Sequence, residues 1–475
     1  MSRRTKAKRG IPAPWTAEEL AFLPAERLSA LIRARRLSPV ELVRVYLERI
    51  ERLNPRLNAY LTVTGQSALD EAQRAEREIA RGRWRGPMHG IPVALKDNIY
   101  TLGVRTTAGS KVMADFVPDR DAAVVARLRE AGAIMLGKTH LHEFAYGVTS
   151  NNIFYGPARN PYDLERIPGG SSGGSAIAVA AGLCAAAVGT DTGGSIRIPA
   201  ALCGVTGFKP AFGAVSVEGI VPLCVSLDHA GPLVRTVADA VLMDAALRGV
   251  LGPRRRLRHA ARGLRLGWPE GYFFERVDPE IAGAIEAARR LFQKRGVRIV
   301  PVNLSLIEAA NRASTPIALA EAYQFHRRAG YFPARAAEYS DDVRGRLEKG
   351  VAVSAADYLD AREVVEEATR EFRACGENVD AFLVPTVPIA APRIGEDRIT
   401  VAGTQEETRA ALLRMCRPAN LWGAPALSVP CGATQQGLPI GLQLIGFGGR
   451  EDALFALALL FERETHWHER RPALP

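Results

Sequence analysis

Three short stretches hold the residue types that could do chemistry together. The first is a lysine, Lys96, ending the apolar run "GIPVALKDNI". The second is the glycine-serine run "PGGSSGGS", Pro168 to Ser175. The third is "GTDTGGSIRIPA", Gly189 to Ala200, in which an apolar run ends in a Thr-Gly-Gly-Ser turn. A lysine at the end of a hydrophobic strand either carries its charge out to solvent or is buried, loses affinity for its proton and becomes a neutral base. A serine hydroxyl attacks carbonyl carbon slowly unless its proton is removed, and a neutral lysine can do this directly or through a second hydroxyl. Glycines next to a nucleophile let successive backbone N–H groups point at one spot, as a developing oxyanion requires. In "TDTGGS" those donors come from Thr192, Gly193, Gly194 and Ser195. The glycines of "PGGSSGGS" allow a tight backbone that brings a second serine between lysine and nucleophile. The set predicts acyl transfer driven by a proton relay.

Two other patterns compete for the same residues. "GAIMLGKT", Gly132 to Thr139, formally satisfies the phosphate-loop pattern, which would make the chain a nucleotide-binding protein. Its four middle residues are those of a buried strand, however, and a phosphate loop must expose its N–H groups, so Lys138 reads as a residue at a strand end. Gly170, Ser172 and Gly174 fit the GxSxG nucleophile elbow. That elbow follows a buried strand and is served by a downstream acid and histidine. The preceding "NPYDLERIP" is polar and proline-bounded, and the downstream histidines sit in ordinary settings.

The elements that must position these residues alternate between strand and helix. "LSPVELVRVYLERIERL" predicts a helix with Ser38 as N-cap, Pro39 at its first position and Glu41 as capping-box partner. A helix is expected at 67–81 and another near 122–131. Short apolar runs at "IPVALKDNI", "GAIMLGK", "DAFLVPTVP", "PALSVPCG" and "PIGLQLIGF" read as strands, and "EDALFALALLFERET" as a closing helix. This is α/β grammar. The division expected is a basic N-terminal tail over 1–15 and one domain over 16–475, within which about 250–354 is a helical elaboration near the substrate entrance.

Composition narrows the partners. The chain has 475 residues, 47% hydrophobic and 24% charged, an ordinary globular balance. Its 62 Lys+Arg against 51 Asp+Glu leave a net charge of +11. The surplus is scattered, and its densest parts, "MSRRTKAKR" and "PRRRLRH", lack interleaved aromatics, so it reads as solvated surface rather than a nucleic-acid footprint. The six cysteines form no CxxC pair and read as reduced thiols. His140 and His142 lack a third ligand, so no metal is expected, and no dinucleotide fingerprint calls for an organic cofactor. No apolar run has the length of a membrane span. A cytoplasmic protein without nucleic-acid or membrane partners is expected, with a homodimer left open.

Through "GIPVALKDNI", "GKTHLHEFAYG", "ARNPYD", "PGGSSGGSAIAVAAG", "GTDTGGSIRIPAALCGVTGFKP", "SLDHAGPLVRTVADA" and "GLPIGLQLIG" the chain resembles the amidase signature family, from about residue 16 to the C-terminus. The resemblance implies a central mixed sheet flanked by helices on both faces, and a Ser-cisSer-Lys triad. It places the base on Lys96, the relay on Ser171 with a cis peptide, the nucleophile on Ser195 and a supporting hydroxyl on Ser172. The oxyanion donors fall on Thr192, Gly193 and Gly194. It implies hydrolysis of small-molecule amides, with carbamates (urethanes) and esters as variants, and no cofactor. One branch of the family, the glutaminase A subunit of glutamyl-tRNA amidotransferase, holds the glutamine carboxylate with an arginine at the position filled here by Val365. That difference, and the segment "ALAEAYQFHRR", favour a stand-alone hydrolase of neutral acyl amides or anilides, the alternative being the glutaminase of the amidotransferase.

Overall fold

The computed structural model describes residues 15–250 and 261–474. All but Trp15 of the expected tail, and the basic run Pro253 to His259, lie outside the described residues. Eleven strands build one mixed sheet. In chain order they are β1 (Tyr60–Val63), β2 (Pro92–Lys96), β3 (Ile134–Thr139), β4 (Ala186–Asp191), β5 (Thr206–Lys209), β6 (His229–Val234), β7 (Arg265–Pro269), β8 (Arg298–Val302), β9 (Ala381–Pro385), β10 (Ala426–Ala433) and β11 (Pro439–Gly446). Their order across the sheet is β1-β3-β2-β4-β6-β5-β10-β11-β9-β7-β8. The central trio β3, β2 and β4 is parallel, with Leu95 registered against Val188, and β6 continues it antiparallel.

The helices that matter to the site are α1 (Pro39–Leu57), α2 (Gly173–Ala180), α3 (Arg197–Cys203), α4 (Ile307–Arg328), α5 (Asp341–Val351), α6 (Ala355–Cys375) and α7 (Arg417–Leu421). α1 begins with the expected Ser38 cap and Pro39, Ser38 Oγ accepting from the N–H groups of Val40 and Glu41. α2, "GGSAIAVA", is buried along its whole length. Only small residues let a helix lie that close to a sheet, which is the physical content of the alanine- and glycine-rich stretch. The main core unites both sides of the sheet, and a second cluster, with Phe144, Ile317, Val343, Leu347 and Val365, ties α4, α5 and α6 to the loops around residues 108–146 and 221–227.

The reading of 250–354 as a helical elaboration needs correction. Residues 265–302 form a β-α-β unit, β7, the helix Pro279–Lys294 and β8, that completes the sheet beyond β9; only α4 and α5 fit a helical cap. The reason is the edge position: β8 is exposed or half-buried along its length, so "RIVPV" carries arginine and proline instead of a continuous apolar run. The unit's outer edge needs no hydrophobic signal, and none is written. Among the described residues no helix is long and apolar enough to cross a membrane.

Candidate active site

β2 and β4 lie side by side and parallel, so their carboxyl ends open onto the same edge of the sheet, where ligand crevices of α/β sheets form. β2 ends in Lys96, which is fully buried. Its Nζ donates to Ser171 Oγ and to Thr190 Oγ1, each at 2.7 Å, and Thr190 Oγ1 also accepts from Asn98 Nδ2 at 3.3 Å. Among the described residues no carboxylate pairs with this lysine. Burial pushes its pKa down to about 7, against a smaller upward pull from Asp191 and Asp228. At neutral pH a large share of Lys96 is therefore free amine.

The run "PGGSSGGS" leads from an irregular loop into α2. The Gly170–Ser171 peptide is cis, and the Ser171 carbonyl accepts from the His142 N–H at 3.3 Å and from Ser150 Oγ at 3.4 Å. Close approach explains the neighbouring glycines. A Cβ on Gly173 would stand 2.4 Å from Ser150 Oγ, and one on Gly174 would stand 2.4 Å from the His140 nitrogen. Ser172 is occupied structurally: its Oγ donates to the Thr190 carbonyl at 3.1 Å and accepts from the Thr190 N–H at 3.2 Å. Its own N–H donates to the Ser195 carbonyl at 3.2 Å, which fastens the two serine segments to each other. No strand precedes Ser172, and among the described residues no histidine ring bonds to Ser171, Ser172 or Ser195, so the nucleophile-elbow pattern is a coincidence of spacing.

β4 ends at Asp191, and the Thr192–Ser195 turn carries the chain into α3. The fully buried Asp191 carboxylate organises this turn. It accepts from Gly194 N–H at 2.8 Å, Ile196 N–H at 3.1 Å, Arg197 Nε at 3.0 Å and Nη2 at 2.8 Å, and Asn420 Nδ2 at 2.8 Å. Burial, the largest single influence, would raise its pKa, but the charge and hydrogen bonds of Arg197, with Lys209 and Asn420, together outweigh it and hold the carboxyl well below the usual range. Arg197 is completed by Cys416 O, Gln443 Oε1 and Asn420 Oδ1 at 2.6–2.7 Å. Gly194 has φ +133°, and a Cβ there would stand 2.6 Å from Cys416 Cβ, so the turn accepts no side chain at that point. Ser195 is 5% exposed, and its Oγ takes part in no hydrogen bond among the described residues. Of the N–H groups expected to face an oxyanion, that of Gly194 is committed to Asp191, while those of Thr192, Gly193 and Ser195 have no acceptor among the described residues.

The phosphate-loop reading of "GAIMLGKT" has no support in the structure. Residues 134–139 are β3, buried throughout, and Lys138 is enclosed with Asp97 Oδ1 at 3.3 Å, the Ile99 carbonyl at 2.6 Å and Thr106 Oγ1 at 2.5 Å. Among the described residues no group of three His, Cys, Asp or Glu side chains is arranged for a metal ion, and the six cysteines are unpaired.

Comparison with known proteins decides the family. The Amidase family model matches residues 41–455. The chain belongs to the amidase signature family. It is a family of hydrolases of C–N bonds, and the mixed sheet flanked by helices is its fold. Among curated relatives, the A subunit of glutamyl-tRNA(Gln) amidotransferase from Moorella thermoacetica is 40% identical, covering 96% of this chain and 99% of that protein. Among solved structures, one described as an amidase superposes with a TM-score of 0.88 at 35% identity, covering 93% of this chain and 100% of the other. The A subunit of glutamyl-tRNA(Gln) amidotransferase from Thermotoga maritima gives 0.77 at 33%, covering 94% and 95%. The curated relatives thus favour the alternative reading over the stand-alone one.

Two features of this amidase signature chain bear on the substrate. Val365 is buried in the second core, on α6, with Arg362 and Arg370 on either side of it in the helix. A cavity of about 670 Å³ has walls that include Tyr146, Gly147, Val148, Thr149, Arg409 and Arg417, two of which, Val148 and Arg417, lie against Gly170 and Gly193. The wall at 147–149 is continuous with the glycine-serine run, since the Val148 carbonyl carbon is 2.9 Å from the place of a Cβ on Gly170. The sequence reading expected a neutral substrate, and two arginines line this space. Asp191, Arg197, Asn420 and the two cavity arginines were not singled out in the sequence. "TDTGGSIR" does show an acid and an arginine bracketing the turn, and that pairing was the available signal for the first two.

Proposed function

We propose that the chain is an amide hydrolase in which Ser195 is the nucleophile, Ser171 the relay and Lys96 the base. The observation carrying this is the 2.7 Å contact between Lys96 Nζ and Ser171 Oγ in a buried site where the lysine has no carboxylate partner. The Ser195 hydroxyl attacks the carbonyl carbon and passes its proton to Ser171 Oγ, whose own proton goes to Lys96. The C–O bond forms, and the N–H groups of Thr192, Gly193 and Ser195 receive the oxyanion; Gly194, committed to Asp191, shapes the turn. Collapse breaks the C–N bond, and the leaving amine takes back the proton through Ser171. Water then cleaves the acyl-enzyme by the same route. Ser172 supports the network through Thr190, the second acceptor for Lys96. Carbamates and activated esters offer the same carbonyl.

Two versions of this function differ in setting. Val365 at the position of the glutamine-binding arginine supports a free-standing hydrolase of small amides. The full-length similarity to amidotransferase A subunits supports a glutaminase that hands ammonia to a tRNA-bound substrate inside a complex. Steady-state assays of the purified chain on glutamine, small primary amides, anilides and carbamates test the two. Turnover of a small amide by the chain alone supports the free-standing enzyme, and turnover of glutamine only when the other amidotransferase components are added supports the complex.

A further inference from the structure

We propose that the cavity against Gly170 and Gly193 is an anion site in which Arg417 and Arg409 bind a carboxylate carried by the substrate, so that the amide cleaved is an acidic one. This deepens the proposed function and rests on Ser195 being the nucleophile. Arg417 opens α7, and its Nε lies 3.8 Å from where a Cβ on Gly193 would stand, which sets the guanidinium against the oxyanion turn. Its only polar contacts among the described residues are weak ones to neutral oxygens, the Asn311 carbonyl at 3.5 Å and Asn311 Oδ1 at 3.3 Å. Arg409 makes no hydrogen bond or ion pair among the described residues, and its Nε is buried without a partner. Both arginines are half-buried, and a guanidinium partly withdrawn from water with no counter-ion is costly; the fully buried Arg197 meets a carboxylate.

The carboxylates lining the cavity do not fill this role. Glu143 is held by the Ser110 and Ser340 hydroxyls, and Asp342 by His142 and Arg346. Asp341 is 92% exposed and pairs with Arg344, while Asp397 and Glu407 are exposed at the rim. Arg346 is itself engaged by Asp342 and the Tyr146 carbonyl. Burial lowers the pKa of Arg409 to about 10, with repulsion from Arg346 and Arg417 acting in the same direction; burial also lowers that of Arg417. Asp342 acts on Arg409 only at a distance, so the two arginines line the cavity with no carboxylate in hydrogen-bond contact among the described residues. A planar fork that binds a carboxylate in bidentate fashion is what such a space accommodates.

The test compares kcat/KM of the full chain for matched pairs that differ only in the carboxylate. On the acyl side these are the monoamides of succinic, glutaric and adipic acids against butyramide, valeramide and hexanamide, in which methyl replaces the carboxylate; on the amine side, N-acyl glycine against N-acyl methylamine. The expected result is a preference for the acidic member of at least one pair by about ten- to a hundredfold, falling towards one in an Arg409→Gln, Arg417→Gln double variant. Should that variant fail to fold, Arg417→Lys keeps the charge and loses the fork, and the preference falls to an intermediate value. Equal or better turnover of the neutral member in every pair overturns the proposal. Calorimetry of glutarate binding to Ser195→Ala separates it from the catalytic reading. Glutarate binding that the two arginine changes abolish, while the unmutated chain turns over none of the amides, leaves the anion site standing and sinks the catalytic assignment. Turnover of neutral amides with no glutarate binding sinks the anion site alone.

Discussion

In the proposed mechanism Lys96 is the base, and the sign of its titration is open to measurement. Because the working form is the free amine and burial brings the pKa to about 7, kcat/KM rises with pH through that value and levels off above it. A pH–rate profile of a neutral amide checks this; a profile that falls through the same range contradicts it. Lys96→Ala lowers turnover by about three orders of magnitude, the range of a lost general base. Ser171→Ala costs more on an anilide than on an activated ester, because only the poor leaving group needs the returned proton; equal losses on both substrates would remove Ser171 from the relay. These residues were legible because their chemistry is written locally: a lysine closing an apolar strand and glycines flanking serines. Arg409 and Arg417 were not, since nothing near them in sequence separates them from other arginines, and only the fold brings Arg417 to the Gly193 turn and Arg409 into the same cavity.

At the scale of elements, the turn between β4 and α3 depends on the buried Asp191–Arg197 pair. Removing the acid leaves Arg197 charged and enclosed, so Asp191→Ala destabilises the chain by about 3–5 kcal/mol in denaturant unfolding. A loss within a few tenths of a kcal/mol would show that the pair does not hold the turn. The strands β2, β3, β9, β10 and β11 announce themselves as apolar runs bounded by turn residues, and the α1 cap is read directly from Ser38 and Pro39. β5 and β6 sit inside glycine- and proline-bearing segments, "TGFK" and "HAGPLV", too short to stand out as strands. β8 is the edge strand and β7 its inner neighbour, each opening on an arginine, and so both passed as part of a helical region.

For the molecule as a whole, the titration of buried carboxyls sets how stability depends on pH. Glu462, on the closing helix, accepts from the Val237 N–H at 2.8 Å, and burial raises its pKa to about 7. A carboxyl raised on folding contributes stability below its unfolded pKa and loses it as pH climbs through the folded value. Glu462→Gln therefore raises Tm at pH 8 and changes it little at pH 5, as differential scanning calorimetry at the two pH values would show. The sheet, the small-residue helix α2 and the Asp191 turn converge on one assignment, that Ser195 acylates. Intact-protein mass spectrometry with peptide mapping, after treatment with a serine-directed fluorophosphonate, tests it most directly. The account predicts a single adduct on Ser195, absent in Ser195→Ala and formed slowly in Lys96→Ala. An adduct on Ser172, or labelling that survives in Ser195→Ala, would contradict it.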